Sequence, residues 1–206
     1  MKSLAGTLYV ISAPSGAGKT SLVQRLLADL PQVSVSISHT TRPPRPGEMD
    51  GKDYYFVAPQ QFQALVDEGR FLEHAQVFEH YYGTSRDSVC GQLANGEDII
   101  LEIDWQGARQ VRSQFPEVCG IFILPPSLEA LDKRLRARGQ DDPAVIDHRM
   151  RQAVAEMRHY HEFDYLVIND DFATSFEALR SIFVANRQGL ATQTQRHRDL
   201  ITRLLS

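Results

Sequence analysis

The sequence contains only two cysteines, Cys90 and Cys119, among 206 residues, and no apolar run long enough to cross a bilayer. Two thiols make neither a disulfide framework nor a zinc-ligand pattern, so buried thiols in a reducing compartment are expected. An excess of positive charge is also missing. Lys and Arg total 22 against 26 acids, giving a net charge of -4 and a pI near 6.0. That balance argues against a dedicated nucleic-acid binder, though not against a local basic pocket. The seven histidines show no HExxH or other metal spacing, and there is no internal repeat or low-complexity tract. Residues 1–14 resemble a short apolar leader, but they run directly into GAGKT and an amphipathic helix. Residues 8–12 are therefore read as a buried strand. The expected setting is the cytoplasm, with no nucleic acid and no membrane as partner.

What is present is an ordinary globular composition, 42% apolar and 23% charged, in a length suited to one or at most two domains. Short apolar runs at 7–12, 33–38, 98–103, 120–124 and 164–168 read as strands, several apolar throughout as in a parallel sheet covered on both faces. Between them, Leu22, Val23, Leu26, Leu27 and Leu30 form a helical stripe. Ser127 suits an N-cap for a helix over 128–138, and Asp142-Pro143 suits the start of another running to about His161. This alternation predicts an α/β doubly wound sheet. Two segments interrupt it. Residues 39–84, rich in Pro, Gly, Tyr and charge, read as an insert with antiparallel strands and a helix over 60–68. Residues 137–147 read as a polar, mobile lid, and 193–206 as a last amphipathic helix.

The strongest motif is APSGAGKT, comprising Ala13, Pro14, Ser15, Gly16, Ala17, Gly18, Lys19 and Thr20, between a strand and a helix. Its glycines let the backbone curl so that N–H groups face phosphate oxygens, and the helix N-terminus adds partial positive charge. Lys19 supplies a point charge for the outer phosphates, and the Thr20 hydroxyl can hold Mg²⁺. The motif asks for Gly where Ala13 stands. The loop implies a bound nucleoside triphosphate, but by itself it leaves a motor, a switch GTPase, an ATPase subunit and a small-molecule kinase all open.

The insert narrows that choice. In SHTTRPPRPGE, Arg42 and Arg45 lie in a segment that Pro43, Pro44 and Pro46 keep extended, so both guanidinium groups can converge on one phosphate dianion. Tyr54 and Tyr82 offer hydroxyls nearby, or serve as insert core. Arg134, Arg138 and Arg149 flank the lid, where transfer between two phosphates needs dense cationic screening. A phosphate oxygen is already ionised at neutral pH, so no nucleophile–base pair is required.

Taken in order, SAPSGAGKT, SHTTRPPRPGEMDGKDYYF, YYGTS, EIDWQGA, RLRARG and VINDD resemble the bacterial guanylate kinases over essentially the whole chain. The resemblance implies the P-loop nucleoside monophosphate kinase fold. In it a CORE (about 1–38, 85–133 and 150–206) surrounds a five-stranded parallel sheet, with a GMP-binding insert (about 39–84) and a helical LID (about 134–149). It further implies transfer of phosphate from ATP, with Mg²⁺, to GMP and dGMP, in purine nucleotide metabolism and GMP recycling. Ser38, Glu73 and Thr84 would contact guanine, and Arg42, Arg45, Tyr54 and Tyr82 the GMP phosphate, with Glu48 bracing the arginines. Asp104 would line the GMP side, Arg134, Arg138 and Arg149 would meet the phosphates, and Asn169 would lie near adenine. Glu102, where the family often has Asp, would organise Mg²⁺ through water.

The base assignments agree with chemistry. Guanine presents N1–H and a 2-amino group side by side, and one carboxylate accepts both, whereas adenine would leave it buried and unpaired. The stretch FLEHAQVF also reads as an insert strand with Glu73 on its exposed face. Two rival functions stand beside this one: a peptide-binding scaffold module of guanylate-kinase-like fold, and a P-loop kinase for another phosphorylated acceptor. An intact Gly18-Lys19-Thr20 argues against the first, and Ser38, Glu73 and Thr84 against the second.

Overall fold

A strand covered by helices on both faces must be apolar on both, and the first strand is built in this way. The structure, a computed structural model, describes residues 6–77, 79–137 and 143–206. Strand β1 (Leu8–Ser12) leads through a turn into helix α1 (Lys19–Asp29) and β2 (Val33–Val35). The chain then builds a second layer from β3 (His39–Thr40), β4 (Tyr55–Phe56), α2 (Pro59–Asp67), β5 (Phe71–Val77) and β6 (His80–Ser85). It returns through α3 (Arg86–Ala94), β7 (Asp98–Leu101), α4 (Trp105–Gln114) and β8 (Cys119–Leu124). Helices α5 (Leu128–Ala137) and α6 (Pro143–Met157) follow. A 3-10 turn (Tyr160–Glu162), β9 (Tyr165–Ile168), α7 (Phe172–Arg187), α8 (Leu190–Arg196) and α9 (Arg198–Leu205) come last.

The main sheet is parallel throughout, in the order β2-β7-β1-β8-β9. Alternate residues of β1 serve opposite cores. Tyr9 and Ile11 pack with Leu22, Leu26, Phe176, Leu179 and Phe183 beneath α1 and α7, and Tyr9 stacks on Phe183. Leu8 and Val10 pack with Val89, Leu93 and Val111 beneath α3 and α4. The second sheet runs β4-β3-β6-β5, with β5 and β6 antiparallel. Its strand β5 is not independent of the main core, because Leu72 is buried in the α3–α4 cluster.

The strand expected over 98–103 ends at Leu101, and three other elements depart further from the sequence expectation. The strand expected over 33–38 stops at Val35, and after one further bond from Ser36 N–H to the Ile100 carbonyl the chain crosses to the second sheet. The helix expected to reach His161 ends at Met157 and is followed by the 3-10 turn. The last helix divides at His197, whose backbone (φ -110, ψ 22) leaves the helical region. Ser127 Oγ does accept the Ala130 N–H at the start of α5.

One polar tie lies at the amino ends of the strands. Asp98 is 4% exposed. It accepts from the Thr7 N–H and from Arg187 Nε, both at 2.8 Å, while Arg187 also donates to the Pro31 carbonyl. Four segments of the fold meet there. Replacing Asp98 by Ala strands the Arg187 guanidinium, so stability should fall by about 3 kcal/mol. Urea unfolding measures this, and turnover per folded molecule should be retained because the tie lies across the sheet from the phosphate loop.

Candidate active site

The carboxyl ends of parallel strands form the natural crevice of an open α/β sheet, and the chain's motifs gather there. Residues 13–20 connect β1 to α1, and Gly16 and Gly18 take φ of +90° and +94°, a region closed to side chains without strain. Gly18 is the N-cap of α1 and has no side chain with which to cap it, so the first N–H groups of the helix are left for a ligand. The loop is held from behind. Asn169, 5% exposed at the end of β9, donates Nδ2 to the Ala17 carbonyl at 2.6 Å. Arg134 of α5 donates to the Asn169 carbonyl at 2.9 Å and reaches the Ala17 carbonyl at 3.5 Å.

Ala13, Pro14, Ser15, Gly16, Gly18, Lys19 and Thr20 line a cleft of about 370 Å³. Glu102 and Asp104, which follow β7, form its second wall, and Arg149, Gln152 and Glu156 of α6 its third. Lys19 Nζ lies 4.0 Å from Glu102. Burial pushes the Lys19 ammonium below its ordinary range, and Glu102, Glu156 and Asp104 act to hold it charged. Glu156 is shifted upward by burial and by Asp104.

The second sheet supplies a different surface. Phe71 pairs with Ser85 and Glu73 with Thr84, so Leu72 is an extra residue, a bulge that re-aims the strand directly before Glu73. Phe71, Leu72 and Glu73 are consequently all buried, and Glu73 is 4% exposed. The exposed-strand reading of FLEHAQVF does not hold at this position, because the bulge breaks the alternation on which it rests. Thr84 Oγ1 donates to Glu73 Oε1 at 2.6 Å. A hydroxyl has one proton to give, so Ser38 Oγ, 3.2 Å from Thr84 Oγ1, is the donor in that pair. Burial, against the bond from Thr84 and with help from the Asp104 charge, lifts the Glu73 carboxyl to about 7. Asp104 itself caps α4, accepting from the Gln106 and Gly107 N–H groups at 3.0 Å.

Arg42 sits at the mouth of this layer. Its guanidinium donates to Glu48 Oε1 at 2.8 Å and lies 5.5 Å above the Tyr54 ring. Glu48 also accepts the Arg45 backbone N–H at 2.7 Å, so it ties Arg42 by the side chain and Arg45 by the main chain. Glu48 first, and Tyr82 beside it, hold the Arg42 guanidinium charged, and the Tyr82 ring meets that of Tyr54 edge-on at 6.0 Å. Burial and the neighbouring Tyr82 raise the Tyr54 phenol.

Of the residues singled out in the sequence, Ser38, Glu73 and Thr84 form one hydrogen-bonded chain, and the loop, Glu102, Asp104 and Arg149 share one cleft. Asn169, expected beside adenine, has its amide nitrogen committed to the phosphate loop. Ala17 is buried and contributes a carbonyl to that brace rather than a wall to the cleft. Arg138 lies outside the described residues. Sequence reading missed Gln152 and Glu156, although their spacing from Arg149 puts all three on one helix face. It also missed Thr40, whose fully buried hydroxyl accepts the Arg42 N–H and donates to the Tyr81 carbonyl.

A phosphate loop at the end of a five-stranded parallel sheet, with a second sheet that carries Arg42 and a buried carboxyl, is the architecture of the P-loop nucleoside monophosphate kinases. Residues 5–186 match the family model described as guanylate kinase, and the chain belongs to the guanylate kinase family. It is 61% identical over 188 residues to a guanylate kinase of Alkalilimnicola ehrlichii, covering 91% of this chain and 93% of that one. It is 55% identical over 203 residues to a guanylate kinase of Escherichia coli K12, covering 98% of each. The crystal structure of guanylate kinase from Anaplasma phagocytophilum superposes with a TM-score of 0.75 at 32% identity, over 92% of this chain and 90% of that one.

The loop geometry carries a direct test. A Cβ at Gly18 would overlap Asn169 Nδ2, at a backbone angle that L side chains avoid. Gly18→Ala should therefore lower stability by about 1–3 kcal/mol and weaken nucleoside triphosphate binding at least tenfold. Thermal unfolding and titration with a fluorescent ATP analogue read the two effects.

Proposed function

We propose that the protein transfers the γ-phosphoryl group of ATP to GMP, and to dGMP, giving GDP or dGDP and ADP in purine nucleotide metabolism and GMP recycling. The observation that carries this reading is the Ser38–Thr84–Glu73 chain, a buried carboxyl with hydroxyl partners in the layer facing the phosphate loop. As a carboxylate, Glu73 accepts N1–H and the 2-amino group of guanine, while Ser38 and Thr84 turn to O6 or N7. Arg42, Arg45, Tyr54 and Tyr82 hold the acceptor phosphate, with Glu48 keeping Arg42 in place. The proposal divides the chain into CORE, GMP-binding insert and LID, the LID lying partly outside the described residues, and has the insert and lid close on the core to exclude water. A cytoplasmic setting belongs to the same proposal, supported by the two free thiols.

In the reaction, an ionised phosphate oxygen of GMP forms a bond to the γ-phosphorus as the bond to the β–γ bridging oxygen breaks and ADP leaves. No proton needs a base. Lys19, Arg138 and Arg149 screen the crowded phosphates, Arg134 joins them with the N–H groups that its bonds to the Asn169 and Ala17 carbonyls leave over, and the backbone N–H groups of the loop hold the donor. Thr20 and Glu102, both on the cleft wall, are hard oxygen donors that suit Mg²⁺. When bound, Mg²⁺ supplies charge neutralisation across the β- and γ-phosphates.

A coupled assay with ATP and GMP, dGMP, AMP, UMP or CMP tests the reading, with turnover expected for the two guanine nucleotides. Lys19→Ala should abolish turnover while GMP binding remains measurable. Near wild-type turnover by that variant, when folded, would overturn the loop assignment. The Glu73 carboxyl adds a pH dependence. Its charged form accepts both guanine donors, whereas the protonated form presents a donor to a donor. The kcat/KM for GMP should therefore fall as pH drops through about 7. Glu73→Gln should lose this limb, and the second ionisation of the GMP phosphate cancels when the two profiles are divided.

A further inference from the structure

Strand β5 is the edge of its sheet, so its outer N–H and C=O groups have no strand partner. Side chains of α4 stand where that strand would be. Gln110 Nε2 donates to the His74 carbonyl at 2.8 Å, and Gln110 Oε1 accepts the His74 N–H at 3.1 Å. One amide thus reproduces the paired bonds of a neighbouring peptide. Four residues on, Gln114 Nε2 donates to the Leu72 carbonyl at 2.7 Å, and its oxygen accepts from Arg86. Leu72 and His74 are the two chain neighbours of Glu73. The same face of α4 carries Gly107, where a Cβ would stand 2.8 Å from Glu73 Oε2.

We propose that Gly107, Gln110 and Gln114, spaced i, i+3 and i+7 along α4, are positioning residues that set guanine specificity by holding the backbone and carboxyl of Glu73 in one orientation. The proposal rests on the reading that Glu73 recognises guanine, and it assigns the accuracy of that recognition to a core helix outside the insert. Two parallel bonds to N1–H and the 2-amino group require the carboxylate to be aimed, not merely near. The phosphate end does not depend on this seam, because Arg42 is held by Glu48 and Thr40. His74 is exposed, so water replaces the bonds lost with Gln110 and the fold survives. At Gly107 an added methyl would stand 2.8 Å from Glu73 Oε2 and 3.2–3.3 Å from Ile103, so the carboxyl must shift while helix propensity improves, and the melting temperature separates lost aim from lost packing against Ile103.

The experiment compares Gln110→Ala, Gln114→Met, Gly107→Ala and Glu73→Gln with the wild type, using GMP and IMP as acceptors. IMP shares the phosphate, ribose and N1–H and lacks only the 2-amino group. Steady-state kinetics, calorimetric binding of both nucleotides and melting temperature are measured for each. Gln110→Ala and Gly107→Ala should raise the KM for GMP about fivefold to tenfold, with kcat within about twofold and the KM for ATP unchanged. The GMP-to-IMP ratio of kcat/KM should shrink by a similar factor, and most in Glu73→Gln. If Glu73→Gln narrows the ratio while the α4 variants leave it unchanged, or lower both acceptors equally with the melting temperature, the positioning role is overturned and the guanine reading stands. If Glu73→Gln itself leaves the ratio unchanged, the guanine reading falls and the proposal falls with it. Should Gln110→Ala not fold, Gly107→Ala and Gln114→Met carry the same test.

Discussion

Burying the Glu73 carboxyl beside a second acid is the constraint on which this site depends. A carboxylate out of water is costly unless hydrogen-bonded, and Asp104 nearby makes the charged form harder still to keep. The surrounding architecture answers that cost in pieces. The bulge at Leu72 turns the side chain inward, Thr84 gives it a proton to accept from, and Ser38 completes the chain. The remaining oxygen faces the close approach that only Gly107 permits. What is left is a carboxyl with room for further hydrogen-bond donors, and the proposed guanine edge would bring two of them. A buried carboxyl whose pKa is raised in this way marks a candidate functional site.

The phosphate half solves the opposite problem. Lys19 is a cation in a place that disfavours cations, and it is kept charged by Glu102, Asp104 and Glu156 rather than by water. Asp104 belongs to both halves, since its charge reaches Glu73, Glu156 and Lys19 while its side chain caps α4. One residue at the end of β7 thereby links the electrostatics of the donor and acceptor sides.

Much of this was legible because its chemistry is local. A strand, a glycine-rich turn and a helix N-terminus lie within thirteen residues of sequence, 8–20, and the phosphate-binding backbone follows from them alone. The five core strands were legible for a related reason: strands buried on both faces must be apolar at successive positions, and parallel ones need helices between them. The prolines around Arg42 and Arg45 likewise carry their own conformational message.

Tertiary structure decided whatever required two distant segments to meet. Whether Glu73 is exposed or buried depends on one extra residue in β5 and on α4, which lies more than thirty residues downstream. Asn169 braces a loop 152 positions away, and Asp98 finds its partner 89 positions on. Glu156 became visible only once α6 was laid across the cleft. Periodicity and motif report what a segment does with its own neighbours. The burial of a charge, by contrast, is set by which other segments exclude the water, and no single stretch of sequence contains them.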